Sequence, residues 1–142
     1  WLAFKPNTDD VREAPAIEIV QHLLDAGATV KAYDPIAMEN FRSVVNSPHI
    51  HWCSDTLDTA ADCDALCLLT EWDAFKEVDL KSVENVMRTP IFIDGGNVFS
   101  SEQIAQTHLH YHSIGRPHIQ SGGLLTGVTK WHHILYGDSA LW

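Results

Sequence analysis

The sequence predicts an α/β fold, a three-layer sandwich with a mainly parallel sheet and helices on both faces. Three observations predict it. Apolar runs of strand length alternate with stretches of helical periodicity along the chain. Two of the runs, "ALCLLT" and "PIFID", are continuously apolar, as strands covered on both faces are. The intervals between the runs suit βαβ units, which build parallel sheets.

Each element can be justified in order. "LAF" at the start reads as the tail of a buried strand. In "APAIEIVQHLLDAGA", Ala16, Ile19, Val20 and Leu23 recur at helical spacing, and Gly27 is a natural stop. "TVKAYDP" is a short strand ended by Asp34-Pro35. A helix over 36–45 follows, then a strand in "HIHWCS" and a short helix over 57–61. After "ALCLLT" come "EWDAF", a helix over 80–87 and the strand "PIFID". "SEQIAQ" is a brief helix and "HLHYHSI" a last strand. Residues 1–116 form one domain. Beyond Arg116 the sequence loses any clean period, and 117–142 is a divergent tail expected to pack on the domain or on a neighbouring chain.

Composition excludes several classes of function. The chain has 142 residues, enough for one domain with a real core, and 45% of them are hydrophobic. Nine Lys plus Arg stand against nineteen Asp plus Glu, a formal charge of -10. That balance argues against nucleic acid and anionic membranes as partners. No apolar run approaches the roughly 20 residues that span a bilayer, and no secretory leader is visible. The cysteines are three, Cys53, Cys63 and Cys67, and Cys67 lies inside an apolar run. A buried reduced thiol is expected there, and with it a cytoplasmic location.

In parallel α/β sheets, ligands bind outside the carboxyl ends of the strands. In this sequence those ends carry Lys5, Asp34, Glu71 and Asp94, the last followed by Gly95 and Gly96. An acid at Asp34 could hold a ribose diol. The first turn lacks G-x-G-x-x-G, however, so a turn formed by Asp34-Pro35 is the better reading. His108, His110 and His112 alternate in a strand pattern, which puts three imidazoles on one face. The outer two would be about 13 Å apart, too far for one metal ion without a bend. A solvated edge or a crevice wall is the expectation, and the same holds for His49 with His51 and for His132 with His133. No metal is expected.

Five segments, in order and in register, resemble the C-terminal UDP-binding domain of the UDP-glucose/GDP-mannose dehydrogenase family. They are "LAFKPNTDDVREAPAIEIV", "KAYDPIAMEN", "DCDALCLLTEWDAFKEVDL", "PIFIDGGNVF" and "YHSIGR", together covering about residues 1–116. The resemblance implies a Rossmann-like fold and a nucleotide-sugar site. It also implies that the full-length enzyme oxidises a sugar C6 alcohol to a carboxylate in two NAD-dependent steps. The NAD site and the catalytic cysteine belong to domains that precede this one in the family, so none of the three cysteines inherits the catalytic role. This domain is expected to bind no cofactor of its own and to be inactive alone.

By that resemblance Lys5 contacts the nucleotide-sugar, Phe4 and its neighbours offer it backbone groups, and Asn97 keeps a motif position that contacts ligand. A cation at a strand's carboxyl end suits a diphosphate. The alternative for Lys5 is a salt bridge to Asp9 or Asp10. Asp10 and Glu13 have the spacing of a capping pair, and Arg12 either neutralises these acids or touches phosphate. Glu71 and Trp72, with Asp94, either line the crevice or, for Trp72, plug the domain edge. Two departures stand out. Trp1 stands where the family usually has Gly. Gly96 stands where the family commonly has an Arg that contacts the ligand, and Gly supplies neither its charge nor its donors. The expected partners are therefore a weakly held UDP-sugar and either a second copy of the chain or separate dehydrogenase domains. The competing expectation is a non-catalytic oligomerisation module.

Overall fold

The computed structural model describes residues 14–69 and 73–113. Within them, six helices and five strands alternate. They are α1 (Pro15–Asp25), β1 (Val30–Ala32), α2 (Met38–Val44), β2 (Ile50–Trp52), α3 (Thr56–Ala60) and β3 (Leu66–Leu68). Then follow α4 (Asp73–Lys76), α5 (Leu80–Val86), β4 (Ile91–Asp94), α6 (Ser101–Ala105) and β5 (His110–Ser113). The expected strand "LAF", the tail 117–142, and any pairing of Asp9, Asp10, Arg12 and Glu13 lie outside the described residues.

All described strand pairs are parallel, as the alternation of runs predicts. β1 pairs with β2, and β3, β4 and β5 form a second ladder in that order. Among the described residues the two ladders are not hydrogen-bonded to each other. Val30 and Ala32 of β1 and Leu66 and Leu68 of β3 line one common pocket.

The helix ends follow from local chemistry. α1 begins with Pro15 at its first position, where a missing N–H costs nothing. It ends as Gly27 takes a left-handed φ of 85°. The Gly27 N–H donates to the Leu24 carbonyl and the Ala28 N–H to the Leu23 carbonyl, both at 2.9 Å. That pair of bonds is a Schellman stop and satisfies carbonyls the helix leaves open. α2 starts two residues later than the sequence predicts. The Asp34 carboxylate accepts from the Ile36 and Ala37 N–H groups at 2.9 and 2.7 Å, so those residues form a turn before the helix begins. α3 starts one residue earlier than predicted because Asp55 caps it, accepting from the Asp58 N–H at 2.8 Å. Lys31 of β1 reaches across to donate to the carbonyls of Asp58 and Ala61, tying that helix to the first ladder.

Each ladder has its own core. Val20, Ala32, Phe41 and Ile50 meet around β1 and β2, with Phe41 set edge-on to Trp52 at 6.1 Å. Leu68, Phe75, Leu80, Phe92, Ile104 and Tyr111 meet on one face of the second ladder. The register explains that face. Leu66 lies beside Phe92 and Phe92 beside Tyr111, and laterally paired residues of parallel strands share a face. Ile93 and His112 are paired on the opposite face. Among the described residues no helix is long and apolar enough to cross a membrane.

Candidate functional site

The carboxyl end of β4 carries the segment "DGGNVF" and is the best-defined strand end among the described residues. Asp94 closes the strand and is fully buried, with 0% exposure. Its two oxygens are unequally loaded. Oδ1 accepts from the Gly96 N–H at 3.0 Å. Oδ2 accepts from the Val98 N–H at 2.8 Å, from the Phe99 N–H at 3.3 Å and from the Tyr111 hydroxyl. A buried carboxylate requires partners of this kind, because an unsolvated charge is otherwise very costly.

The loop therefore folds around Asp94. Its first amide is also engaged: the Gly95 N–H donates to the Leu68 carbonyl of β3 at 2.8 Å. At its far end Ser100 and Gln103 form a reciprocal cap on α6, at 3.2 and 2.9 Å. Between these anchors Asn97 takes a left-handed φ of 53°, a conformation asparagine tolerates better than most residues. Its side-chain oxygen accepts from the Ser113 hydroxyl at the end of β5. Beneath the loop, Phe99 meets Phe92 edge-on at 5.6 Å, and Phe92 stacks on Tyr111 at 5.8 Å.

This arrangement limits what the loop can do chemically. Two adjacent glycines after a strand suggest a loop whose amides could cradle phosphate. Here the amides of Gly95, Gly96, Val98 and Phe99 point inward, to a carbonyl and a carboxylate. Those four amides are therefore not turned outward to cradle an anion.

The end of β1 repeats the device. Asp34 is 1% exposed and accepts from two amides of the following turn. The turn reading of Asp34-Pro35 describes it correctly. Asp94 differs from its expected place as crevice lining. It lies beneath the strand end, buried by the loop it holds, and its carboxylate faces that loop. Phe4, Lys5, Glu71 and Trp72, the other expected contacts, lie outside the described residues. Asn97 is at the strand end, half-way between its two anchors.

Tyr111 and Ser113 escaped sequence reasoning, which read "HLHYHS" for its histidines. The same period of two places Leu109, Tyr111 and Ser113 on the opposite, inward face, where all three are buried. A buried tyrosine hydroxyl calls for a partner, and that was the available signal. The histidines themselves divide. His110 and His112 are half-buried in β5. His108 precedes the strand, its side chain is 88% exposed, and it faces Glu84 at 3.2 Å. Among the described residues no group of three or more His, Cys, Asp or Glu is arranged to hold a metal.

All three cysteines are free. Desolvation raises each thiol, and it pushes Cys67 up to about 11. Thiols so shifted are poor nucleophiles near neutral pH.

Comparison with known proteins gives a consistent result. The model of the UDP-glucose/GDP-mannose dehydrogenase family, UDP binding domain, matches residues 2–101. UDP-glucose 6-dehydrogenase of Rhizobium meliloti is 43% identical over 116 residues, which is 82% of this chain and 26% of that protein. UDP-glucose 6-dehydrogenase TuaD of Bacillus subtilis is also 43% identical, over 84% of this chain and 26% of its own length. Among solved structures, a UDP-glucose dehydrogenase from Pyrobaculum islandicum superposes with a TM-score of 0.61 at 29% identity. It covers 78% of this chain, which spans 23% of it. The chain thus spans about a quarter of the length of the relatives it matches.

Proposed function

Because the chain belongs to the UDP-glucose/GDP-mannose dehydrogenase family, as its UDP binding domain, we propose that it binds a UDP-sugar at the carboxyl ends of its strands. The observation that carries this reading is the family match over residues 2–101, a span that includes both Lys5 and the "DGGN" segment. Lys5 supplies the cation for the diphosphate, Phe4 and its neighbours supply backbone groups, and Asn97 contacts the ligand from the β4 loop. Glu71 and Trp72 are the further candidates for contact with the ligand. The inward turn of the Gly96, Val98 and Phe99 amides supports a side-chain contribution, from Asn97, on the β4 side of the site.

In this reading the domain binds no cofactor itself. NAD and the oxidation of the sugar belong to the full-length enzymes, of which this chain spans about a quarter. Its partners are a UDP-sugar and either a second copy or the remaining dehydrogenase domains, in the cytoplasm, with no nucleic acid and no membrane. Gly96, in place of the family's Arg, makes the binding weak. Losing one charge-assisted contact costs about 1.5–3 kcal/mol, or roughly one to two decades in affinity.

Titration calorimetry of the chain with UDP and with UDP-glucose tests the proposal. Saturable heat that Lys5→Ala abolishes or weakens at least tenfold is expected. No heat at millimolar ligand, with the parent and Lys5→Ala indistinguishable, sinks it. The oligomerisation reading ranks second. The exposed large apolar side chains among the described residues are Ile36, Val44, Leu57 and Val86, which lie before α2, at its end, on α3 and on α5, and single exposed apolar residues of this kind are ordinary.

A further inference from the structure

We infer that Asp94 and Tyr111 are positioning residues for Asn97: they set the loop geometry that presents this side chain at the strand end. The inference rests on the UDP-sugar reading of that site for its ligand, but its geometry is independent of it. Asn97 sits between two stretches that Asp94 holds, Gly96 on one side and Val98 with Phe99 on the other. A residue flanked this way has little freedom to leave its left-handed φ of 53°. Tyr111 adds the fourth hydrogen bond to the same carboxylate. It comes from β5, two residues before Ser113, whose hydroxyl donates to the Asn97 side-chain oxygen. The β5 strand therefore grips the loop twice, once under its base through Asp94 and once at Asn97 itself.

The consequence for recognition follows from the amide group. With its oxygen turned to Ser113, the Asn97 side chain is oriented with its NH₂ as the donor end. A donor there matches phosphate, carbonyl or sugar oxygens. Neither Asp94 nor Tyr111 touches such a ligand, because both are buried. They act only through the loop.

Tyr111→Phe is the clean perturbation, since it keeps the ring stacked on Phe92 and removes only the hydroxyl. The first measurement is NMR on the full 142-residue chain without ligand. In the variant the Val98 and Phe99 amides should exchange at least about tenfold faster. The strong intraresidue amide-to-Hα contact that marks a left-handed Asn97 should weaken, while the amides of β4 stay protected. Unchanged loop amides overturn the positioning role. The second measurement is the UDP affinity of the parent, Tyr111→Phe, Asn97→Ala and the double variant. A loss of about tenfold in each single variant is expected, with the double variant no weaker than Asn97→Ala alone. Additive losses overturn action through Asn97 and leave the UDP site standing. A parent that binds no UDP overturns the binding reading and the ligand half of this inference, and the loop measurement then decides the geometric half.

Discussion

Replacing Asp94 by Asn changes one atom and should cost more than most surface substitutions. The carboxylate accepts four hydrogen bonds, one on Oδ1 and three on Oδ2. An asparagine has a single oxygen, which will take the Oδ2 position to keep Val98, Phe99 and Tyr111. Its NH₂ then faces the Gly96 N–H, donor against donor. One unsatisfied buried donor costs about 1–3 kcal/mol, and the three retained bonds weaken because they lose their charge assistance. Relief of a buried charge offsets part of this. The net loss should be about 2–4 kcal/mol, a large part of the roughly 5–15 kcal/mol that holds a typical domain together. Urea unfolding followed by tryptophan fluorescence will measure it, with a lower midpoint and an unchanged slope. Asp94→Ala, which removes all four acceptors, should be worse still. An Asn variant within about 0.5 kcal/mol of the parent, or an Ala variant no worse than the Asn one, would show that the buried carboxylate does not hold the loop.

Other perturbations test other parts of the chain. Gly27→Ala should cost about 1–2 kcal/mol from the left-handed backbone alone, since a Cβ there meets nothing within 4 Å; Gly27→Asn should cost less, and equal losses in denaturant melts would contradict this. Gly96→Arg should tighten UDP by roughly one to two decades. Among the described glycines only Gly27 has a positive φ, so the backbone conformation at 96 does not itself call for glycine; calorimetry showing no gain refutes the idea that the missing Arg limits affinity. Burial pushes the Cys67 thiol up from its ordinary 9.0 to about 11, so the protonated thiol is the form the fold favours. Its contribution is complete below pH 9.0 and is lost as pH rises from 9.0 through about 11. Alkaline denaturation should therefore be less steep in Cys67→Val, and identical pH profiles would exclude this thiol as a cause.

Much of the fold is legible in the sequence, for reasons that differ by element. α1 is legible because its apolar residues recur at one period and Gly27 ends it. β3 and β4 are legible because continuous apolar runs of that length suit covered strands. The boundaries are less so. Where α2 begins depends on how many amides Asp34 captures, and that is decided by the turn's three-dimensional path rather than by periodicity. The site is legible in part for the same reason. "DGGN" can be picked out as a strand-end segment, and Asn97 with it. The inward aim of Asp94 cannot, because an aspartate at a strand end has the same letters whether it faces a ligand or a loop. Only the burial of Tyr111 opposite the histidines hints at the difference, since its hydroxyl needs an acceptor inside.

On the proposed reading, the two buried aspartates at the ends of β1 and β4 also bear on how a nucleotide would arrive. Each places negative charge beneath the rim, in a chain whose formal charge is already -10. On the proposed UDP-sugar reading, an incoming diphosphate meets a net-negative chain, so repulsion should slow its encounter. Dissolved salt shortens the reach of that repulsion. Nucleotide association should quicken as ionic strength rises, opposite to the behaviour of a basic, phosphate-steering site. The same field should favour uncharged nucleosides over nucleotides in the first encounter, which would leave discrimination for the diphosphate to contacts made after docking.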